Sequence, residues 1–407
     1  MSVSLADVRE AQDRFDETIV QRTPMESSRT LAEKVDATVS LKMEHLQRTG
    51  SFKVRGASNK LAAVTAGDHE VTEVVAASAG NHAQGVALAA ANAGVDATIV
   101  MPKNAPQSKV DATDGYGATV ELEGDDFQEA MDYAKGLVNE DRVFVEAYDD
   151  PAIVAGQGTL GLEIVDQVPD VDTVVVPVGG GGLISGVATV IDELSPGTRV
   201  VGVQAEGAET VARSLRKGAP QSNPDVRTIA DGIATGGISQ LTFDLIDDHV
   251  DDVVTVSDTE IAESLLFLLE RTKQLVEGAG ATPVAALCSD SLDVSGETVV
   301  PVLSGGNLDL TDLQTVLTRG LQSRGKLVRL RVRIVDEPGE MSRLSRIIGS
   351  HDANIQQARH VRTGPDLAVG DAYLEFRVTT SGRDHSRQIT DSIRDAGYEV
   401  ERASERT

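Results

Sequence analysis

Residues 173–186 read Thr173-Val174-Val175-Val176-Pro177-Val178-Gly179-Gly180-Gly181-Gly182-Leu183-Ile184-Ser185-Gly186. The short β-branched run predicts a strand buried on both faces, and the apolar residues after the glycines open a helix. A strand that feeds a helix through a glycine turn is the repeating unit of a parallel α/β sheet. Four glycines also let consecutive backbone N–H groups converge without side-chain interference, at the positive end of a helix. A phosphate cradle is therefore favoured over a flexible loop. The spacing is not G-x-G-x-x-G, and no Gly-Lys-Ser/Thr follows as a Walker A loop requires.

Working outward, Val95–Met101 is a second apolar strand-like run, and such runs alternate with Ala- and Leu-rich helical stretches. The fold class is α/β with mainly parallel sheet. Three further segments carry chemistry. In Glu44–Ala57, a polar loop with Gly50 and Ser51 delivers Lys53 to a helix predicted over Ala57–Val64. Phe52 and Val54 flank the amine with apolar bulk, and desolvation lowers a lysine's pKa toward that of a nucleophile. In Ala77–Gly85, small residues and then Asn81 and His82 open an Ala-rich helix after the run Val71–Ala76. Either Ser78 or Asn81 caps that helix in the ordinary way, or its free N–H groups hold a carboxylate. His82 reads equally well as a packed helix residue. In Val302–Asn307, Ser304 stands at the carboxyl end of a strand, where open α/β sheets place ligands.

The chain has 407 residues, more than one ordinary core. Its formal net charge is −27, which argues against nucleic acid or an anionic membrane surface as partner. One cysteine, Cys288, excludes an intramolecular disulfide and a Cys-cluster metal site, and fits a reducing cytoplasm. The first twenty residues lack the pattern of a secretory signal, and no apolar stretch reaches the ~18 residues of a membrane span. The acidity is uneven. Residues 326–407 hold 14 basic and 13 acidic residues, whereas residues 1–325 hold 23 and 51. A highly soluble surface explains this, and adaptation to high salt is the sharper reading.

The pattern changes after Ser323-Arg324-Gly325. Val328, Leu330, Val332 and Ile334 alternate with Arg329, Arg331 and Arg333, a strand with one buried face. Asp336-Glu337-Pro338-Gly339 turns the chain, and Met341, Leu344, Ile347 and Ile348 recur at helical spacing. Strands at Ala353–Val361 and Tyr373–Thr379, a helix with Ile389, Ile393 and Ala396 on one face, and a strand at Tyr398–Arg402 complete βαββαβ. That order is a ferredoxin-like unit. The arginine stripe is too polar for a core, so it is either solvated or meets an acidic neighbour.

A lysine amine, a phosphate cradle, a carboxylate-binding loop and a strand-end hydroxyl together fit pyridoxal 5'-phosphate. Ser51–Ala57, Ser78–Gly85, Gly179–Leu183 and Ser304–Asn307 resemble, in order over residues 5–320, the serine/threonine dehydratase family of fold-type II (tryptophan-synthase-β-like) pyridoxal-phosphate enzymes. The tail resembles an ACT domain through Asp336–Gly339 and Ala353-Asn354-Ile355. The resemblance implies a catalytic region over 1–322, with a large domain of about 1–65 and 150–322 and a small one of about 66–149, and a regulatory domain over 326–405. It implies β-elimination of L-threonine, and of L-serine, to 2-oxobutanoate or pyruvate and ammonia in the cytoplasm.

Residue by residue, the resemblance gives Lys53 the covalent attachment of the cofactor and the Cα proton. It places Phe52 near the cofactor, Asn81 on its ring hydroxyl, Gly179, Gly180, Gly181, Gly182 and Leu183 around its phosphate, and Ser304 at its pyridine nitrogen. Ser78, Gly80, Asn81, His82 and Glu277 would meet the substrate. Glu337, Gly339, Asn354 and Ile355 would bind an amino-acid effector, isoleucine or valine, in a homodimer or homotetramer. Ala79 stands where related racemases carry a serine, which favours elimination over racemisation. Gln204 replaces an expected ligand glutamate beside Glu206 and Glu209, so no metal is expected. A serine dehydratase or racemase of the same fold and a non-catalytic amino-acid-sensing ACT protein are the alternatives.

Overall fold

The computed structural model describes residues 2–67, 71–364 and 366–402; residues 403–405 of the expected tail domain lie outside them. The chain divides into two compact units between Leu313 and Gln314. In the first, the strands are β1 (Met25–Ser27), β2 (Thr38–Lys42), β3 (Glu73–Ala77), β4 (Asp96–Met101), β5 (Thr119–Leu122), β6 (Arg142–Phe144), β7 (Thr173–Pro177), β8 (Arg199–Ala205), β9 (Asp252–Val256) and β10 (Thr298–Pro301). They form two sheets. The larger has the order β1-β2-β10-β7-β8-β9, parallel except for the β1–β2 edge. The smaller, β5-β4-β3-β6, is wholly parallel. This is the two-sheet α/β architecture that the resemblance implies.

Every residue of β7 is buried, as a strand covered by helices on both faces requires. Val174 and Val176 pack with Leu183, Ile184 and Val187 of the following helix, Gly182–Leu194, so one core fixes both sides of the glycine turn. In the smaller sheet, Val74, Ala76 and Ile99 pack with Ala83, Val86 and Ala87 of the helix Asn81–Ala93. That helix crosses the helix Lys53–Thr65 closely at Gly85, where a Cβ would stand 3.1 Å from the carbonyl carbon of Lys53. The crossing brings Lys53 and His82 together.

In the second unit, β11 (Leu327–Val335), β12 (Asn354–Val361), β13 (Asp371–Thr379) and β14 (Glu399–Arg402) form the sheet β12-β13-β11-β14, with helices Glu340–Ser350 and Arg383–Asp395 between strands. This is ferredoxin-like topology. Leu330, Val332, Ile334, Leu344, Ile348, Ile389 and Ile393 are its buried core. Met341 stays exposed, and Ala396 is an exposed C-cap beyond the helix it was expected to line. Two arginines of the stripe meet acidic neighbours on the adjoining strand, Arg333 at 2.7 Å from Asp371 and Arg331 at 3.7 Å from Glu375, whereas Arg329 is exposed opposite Arg377.

The candidate effector residues do not meet within one chain. Val335, just before Glu337, is opposite Asp371, whereas Asn354 and Ile355 are opposite Thr379 and Val378, beside Leu327 and Val328. The two pairs sit at opposite ends of the sheet, separated by about seven residues of strand, or about 23 Å.

Candidate active site

Lys53 is the first residue of its helix, four positions earlier than the sequence pattern suggested. The reason is tertiary. The Phe52 N–H donates to the Ser304 carbonyl at 3.1 Å, and Ser51 pairs with Gly305, so the turn after β10 sets the start of the helix. Phe52 thus lies beside Ser304, and the Lys53 Nζ is 5.3 Å from the Phe52 ring centroid. The amine donates to the Ala147 carbonyl at 2.9 Å. Burial pushes its pKa down to about 8, partly opposed by the charge of Glu277. A group so placed is far more often neutral near physiological pH than an ordinary lysine.

The helix Asn81–Ala93 starts from Gly80, with no side-chain cap. Neither Ser78 nor Asn81 caps it: the Ser78 hydroxyl accepts the Gly80 N–H at 3.2 Å, and Asn81 turns to Glu277. The first-turn N–H groups remain available to an anion. His82 points inward, and its Nε2 donates to the Val145 carbonyl at 2.9 Å. Burial and then the charge of Lys53 hold its pKa down at about 3, so it is neutral. Only its backbone N–H faces the role expected of it.

Glu277 occupies the N-cap position of the helix Gly278–Cys288, but its side chain does not cap it. Its carboxylate accepts from the Asn81 Nδ2 at 2.7 Å. Burial pushes its pKa up to about 7, against the hydrogen bonds of Asn81 and the Asn307 backbone. Lys53, Asn81, Glu277 and Ser304 therefore converge from two sheets. Gly181, at φ 91°, begins the helix Gly182–Leu194, and a Cβ on Gly180 would lie 2.2 Å from the Tyr148 ring. Tyr148 follows Ala147, so the contact of the lysine amine and the cover of the glycine turn come from adjacent residues.

A family profile described as pyridoxal-phosphate dependent enzyme matches residues 17–305. The chain belongs to this family. The L-threonine ammonia-lyase of Thermotoga maritima is 44% identical over 399 residues, covering 98% of this chain and 99% of its own. The catabolic L-threonine dehydratase of Escherichia coli is 44% identical over 320 residues, covering 78% and 96%. Among solved structures, the processed form of threonine deaminase isoform 2 from Solanum lycopersicum matches with a TM-score of 0.73 at 34% identity, covering 77% of this chain and 92% of that one. Maize serine racemase matches with a TM-score of 0.73 at 35% identity, covering 80% and 100%.

As a pyridoxal-phosphate enzyme the chain has residues that fit the group. Its glycine turn presents first-turn amides at a helix N-terminus without a side-chain cap, and burial lowers the pKa of its amine to about 8. Three hydroxyls among the described residues are buried without a partner: those of Ser51, beside Gly305, of Thr235, beyond the turn that covers Gly179, and of Ser58 on the Lys53 helix. Substituting Gly180→Ala would drive the new methyl into Tyr148. The expected result is at least a roughly tenfold rise in the dissociation constant for pyridoxal phosphate, read by titrating the apoprotein, with little change in circular dichroism. An unaltered dissociation constant would show that the turn tolerates a side chain.

Tyr148, Ala147 and the turn Asp231–Ile233, which packs on Gly179, were not singled out from sequence. Tyr148 was within reach, because it lies four residues beyond β6, at the carboxyl end of a parallel strand. Gln204 has a structural task. Its Oε1 accepts the Val211 N–H at 2.8 Å and the Thr210 N–H at 3.2 Å, and its Nε2 donates to the Ala208 carbonyl at 3.3 Å. A carboxylate could not make the last of these. Glu206 is exposed at the surface nearby, and Glu209 pairs with Arg216 at 3.4 Å.

Proposed function

We infer that the chain catalyses the β-elimination of L-threonine, and more slowly of L-serine, giving 2-oxobutanoate or pyruvate and ammonia. The observation that carries this is the end-to-end match with the Thermotoga maritima L-threonine ammonia-lyase, which spans both units. The Escherichia coli dehydratase is matched over nearly its whole length by 78% of this chain. That supports placing the chemistry in the first unit and control in the tail.

The division of labour follows from the site. The substrate carboxylate binds at the open helix start of Ser78, Gly80, Asn81 and the His82 N–H. Gly179, Gly180, Gly181, Gly182 and Leu183 hold the phosphate, and Ser304 faces the pyridine nitrogen. Bound pyridoxal phosphate supplies the electron sink for the charge left at Cα. Lys53 takes the Cα proton. Loss of the β-hydroxyl as water and hydrolysis of the resulting enamine then release the 2-oxo acid and ammonia. A serine hydroxyl at the ring nitrogen, unlike a carboxylate, does not enforce its protonation, and this suits prompt elimination. Ala79 offers no acid or base to the opposite face of Cα.

The tail binds an amino-acid effector, isoleucine or valine. Because Glu337 and Gly339 lie far from Asn354 and Ile355 in one chain, a site that uses all four needs two copies, which supports a homo-oligomer. Among the described residues no helix is long and apolar enough to cross a membrane; a cytoplasmic setting accords with the single cysteine.

Assay of 2-oxo acid release tests the whole reading. Saturable release from threonine should exceed that from serine, and isoleucine or valine should shift KM or kcat, because an effector must bind two states unequally. No release from either substrate would overturn the lyase reading. Unchanged KM and kcat would remove the effector.

A further inference from the structure

The turn Ser304–Asn307 ends in an asparagine that neither the phosphate cradle nor the ring contact uses. Its Nδ2 donates to the Thr49 carbonyl at 2.6 Å and to the Asn81 Oδ1 at 2.8 Å, with the Gln84 Oε1 at 3.4 Å. A backbone carbonyl only accepts, so the Thr49 contact fixes which end of the Asn307 amide is NH2. Asn307 is exposed, so water competes for the second hydrogen of that NH2, but the nearest protein acceptor offered to it is the Asn81 Oδ1, at 2.8 Å against 3.4 Å for the Gln84 Oε1. Asn81 must turn its oxygen to Asn307 and its NH2 toward the Glu277 Oε1, 2.7 Å away. A flipped Asn81 would set donor against donor at one end and acceptor against carboxylate at the other.

The seat of Asn307 is built for the purpose. Gly50, at φ 74°, leaves room that a Cβ would take, since that atom would lie 2.3 Å from the Asn307 Oδ1. The Gly306 N–H donates to the Gly50 carbonyl at 2.9 Å, closing the turn onto the loop that leads to Lys53. The Asn307 backbone also hydrogen-bonds Glu277. One side chain thus joins the Lys53 loop, the turn after β10 and the helix Asn81–Ala93 of the smaller sheet.

We propose that Asn307 is a positioning residue that locks the Asn81 amide with its NH2 directed into the site, as a hydrogen-bond donor for the ring oxygen of the cofactor. This rests on the reading of Asn81 as a cofactor ligand. Asn307 need not touch the cofactor; it acts through Asn81. The Asp substitution at 307 cannot donate to Asn81 as a carboxylate, so it would reward the flipped amide and present an acceptor where a donor is required.

A double-mutant cycle on the pyridoxal phosphate dissociation constant, read by titrating apoprotein, tests this. Asn307→Ala should weaken binding about tenfold in the wild-type background and by less than about twofold in Asn81→Ala. Asn307→Asp should also shift the visible absorption of the bound cofactor, and that shift should vanish with Asn81→Ala. Equal factors in both backgrounds would overturn the positioning role while leaving Asn81 a ligand. An unchanged dissociation constant for Asn81→Ala alone would remove the Asn81 reading and this inference with it. If Asn307→Ala fails to fold, Asn307→Ser serves in the same cycle, since its shorter side chain keeps a polar group in the turn and withdraws the amide from Asn81.

Discussion

Lys53→Ala should lower threonine turnover by about 10³-fold or more while the protein still folds and still binds pyridoxal phosphate through the glycine turn. In the structure the amine makes one hydrogen bond, to the Ala147 carbonyl, so its loss breaks no hydrogen-bonded ion pair. Borohydride should fix the cofactor to the peptide bearing Lys53 in the wild type and to no peptide in the variant, as read by mass spectrometry. Retention of turnover would overturn the assignment. The pH dependence carries a second, independent reading. Only the neutral amine attacks a carbonyl, and with a pKa of about 8 roughly a tenth of the Lys53 side chains are neutral at pH 7. An ordinary lysine would offer about one in three thousand. Covalent capture of cofactor by the apoprotein should therefore rise with pH and level off just above 8. A rise that continues through about pH 9 and 10 would mean that burial does not act on this amine.

Local patterns were the legible part of this sequence. The valine run into four glycines and the two-residue period of β11 each depend on neighbours in the chain, and each took the form its residues dictate. What could not be read was convergence. Asn81, Glu277 and Asn307 lie far apart in sequence and meet only because two sheets face one site. The helix at Lys53 starts early because the Ser304 carbonyl takes the Phe52 N–H, a contact without local signal. The tail shows the opposite error. Gly339 and Asn354 are fifteen residues apart, yet antiparallel pairing through β13 sends them to opposite ends of the sheet. The acidity of residues 1–325 finds a similar limit, because a bulk negative charge cannot hold an anionic cofactor. Glycine N–H groups at contact distance outweigh that distant, screened field.

Arg55→Met should cost about 3–5 kcal/mol of stability, the largest structural effect expected of a side chain near the site. Arg55 lies on the Lys53 helix and is fully buried. Its Nε and Nη2 grip Glu44 at 2.7 and 2.8 Å, and its Nη1 reaches Glu163 at 2.8 Å. Lys42 donates to Glu163 at 2.6 Å, to the Thr23 carbonyl at 2.8 Å and to Gln167 at 2.7 Å. Two cations and two carboxylates thus neutralise one another out of water, and methionine would strand Glu44. Burial by itself pushes Glu44 up, but Arg55 and Lys42 outweigh it and hold the carboxyl below its usual range. Without Arg55, burial dominates, and the folded variant binds a proton that the unfolded chain releases above its ordinary value of 4.5. Its stability then falls as pH rises, whereas the wild-type contribution from Glu44 is present above that value and lost below it. The deficit should accordingly be small near about pH 5 and grow toward about pH 8. With no tryptophan in the chain, guanidinium unfolding followed by circular dichroism is the suitable measurement. Arg55→Lys should recover little, because an ammonium cannot reproduce the two-pronged grip on Glu44. The pair Arg55→Met/Glu44→Met should recover most of the loss, since it removes the stranded charge along with its partner. A deficit that is independent of pH, and unchanged in the pair, would mean that Arg55 contributes by filling space and not by charge.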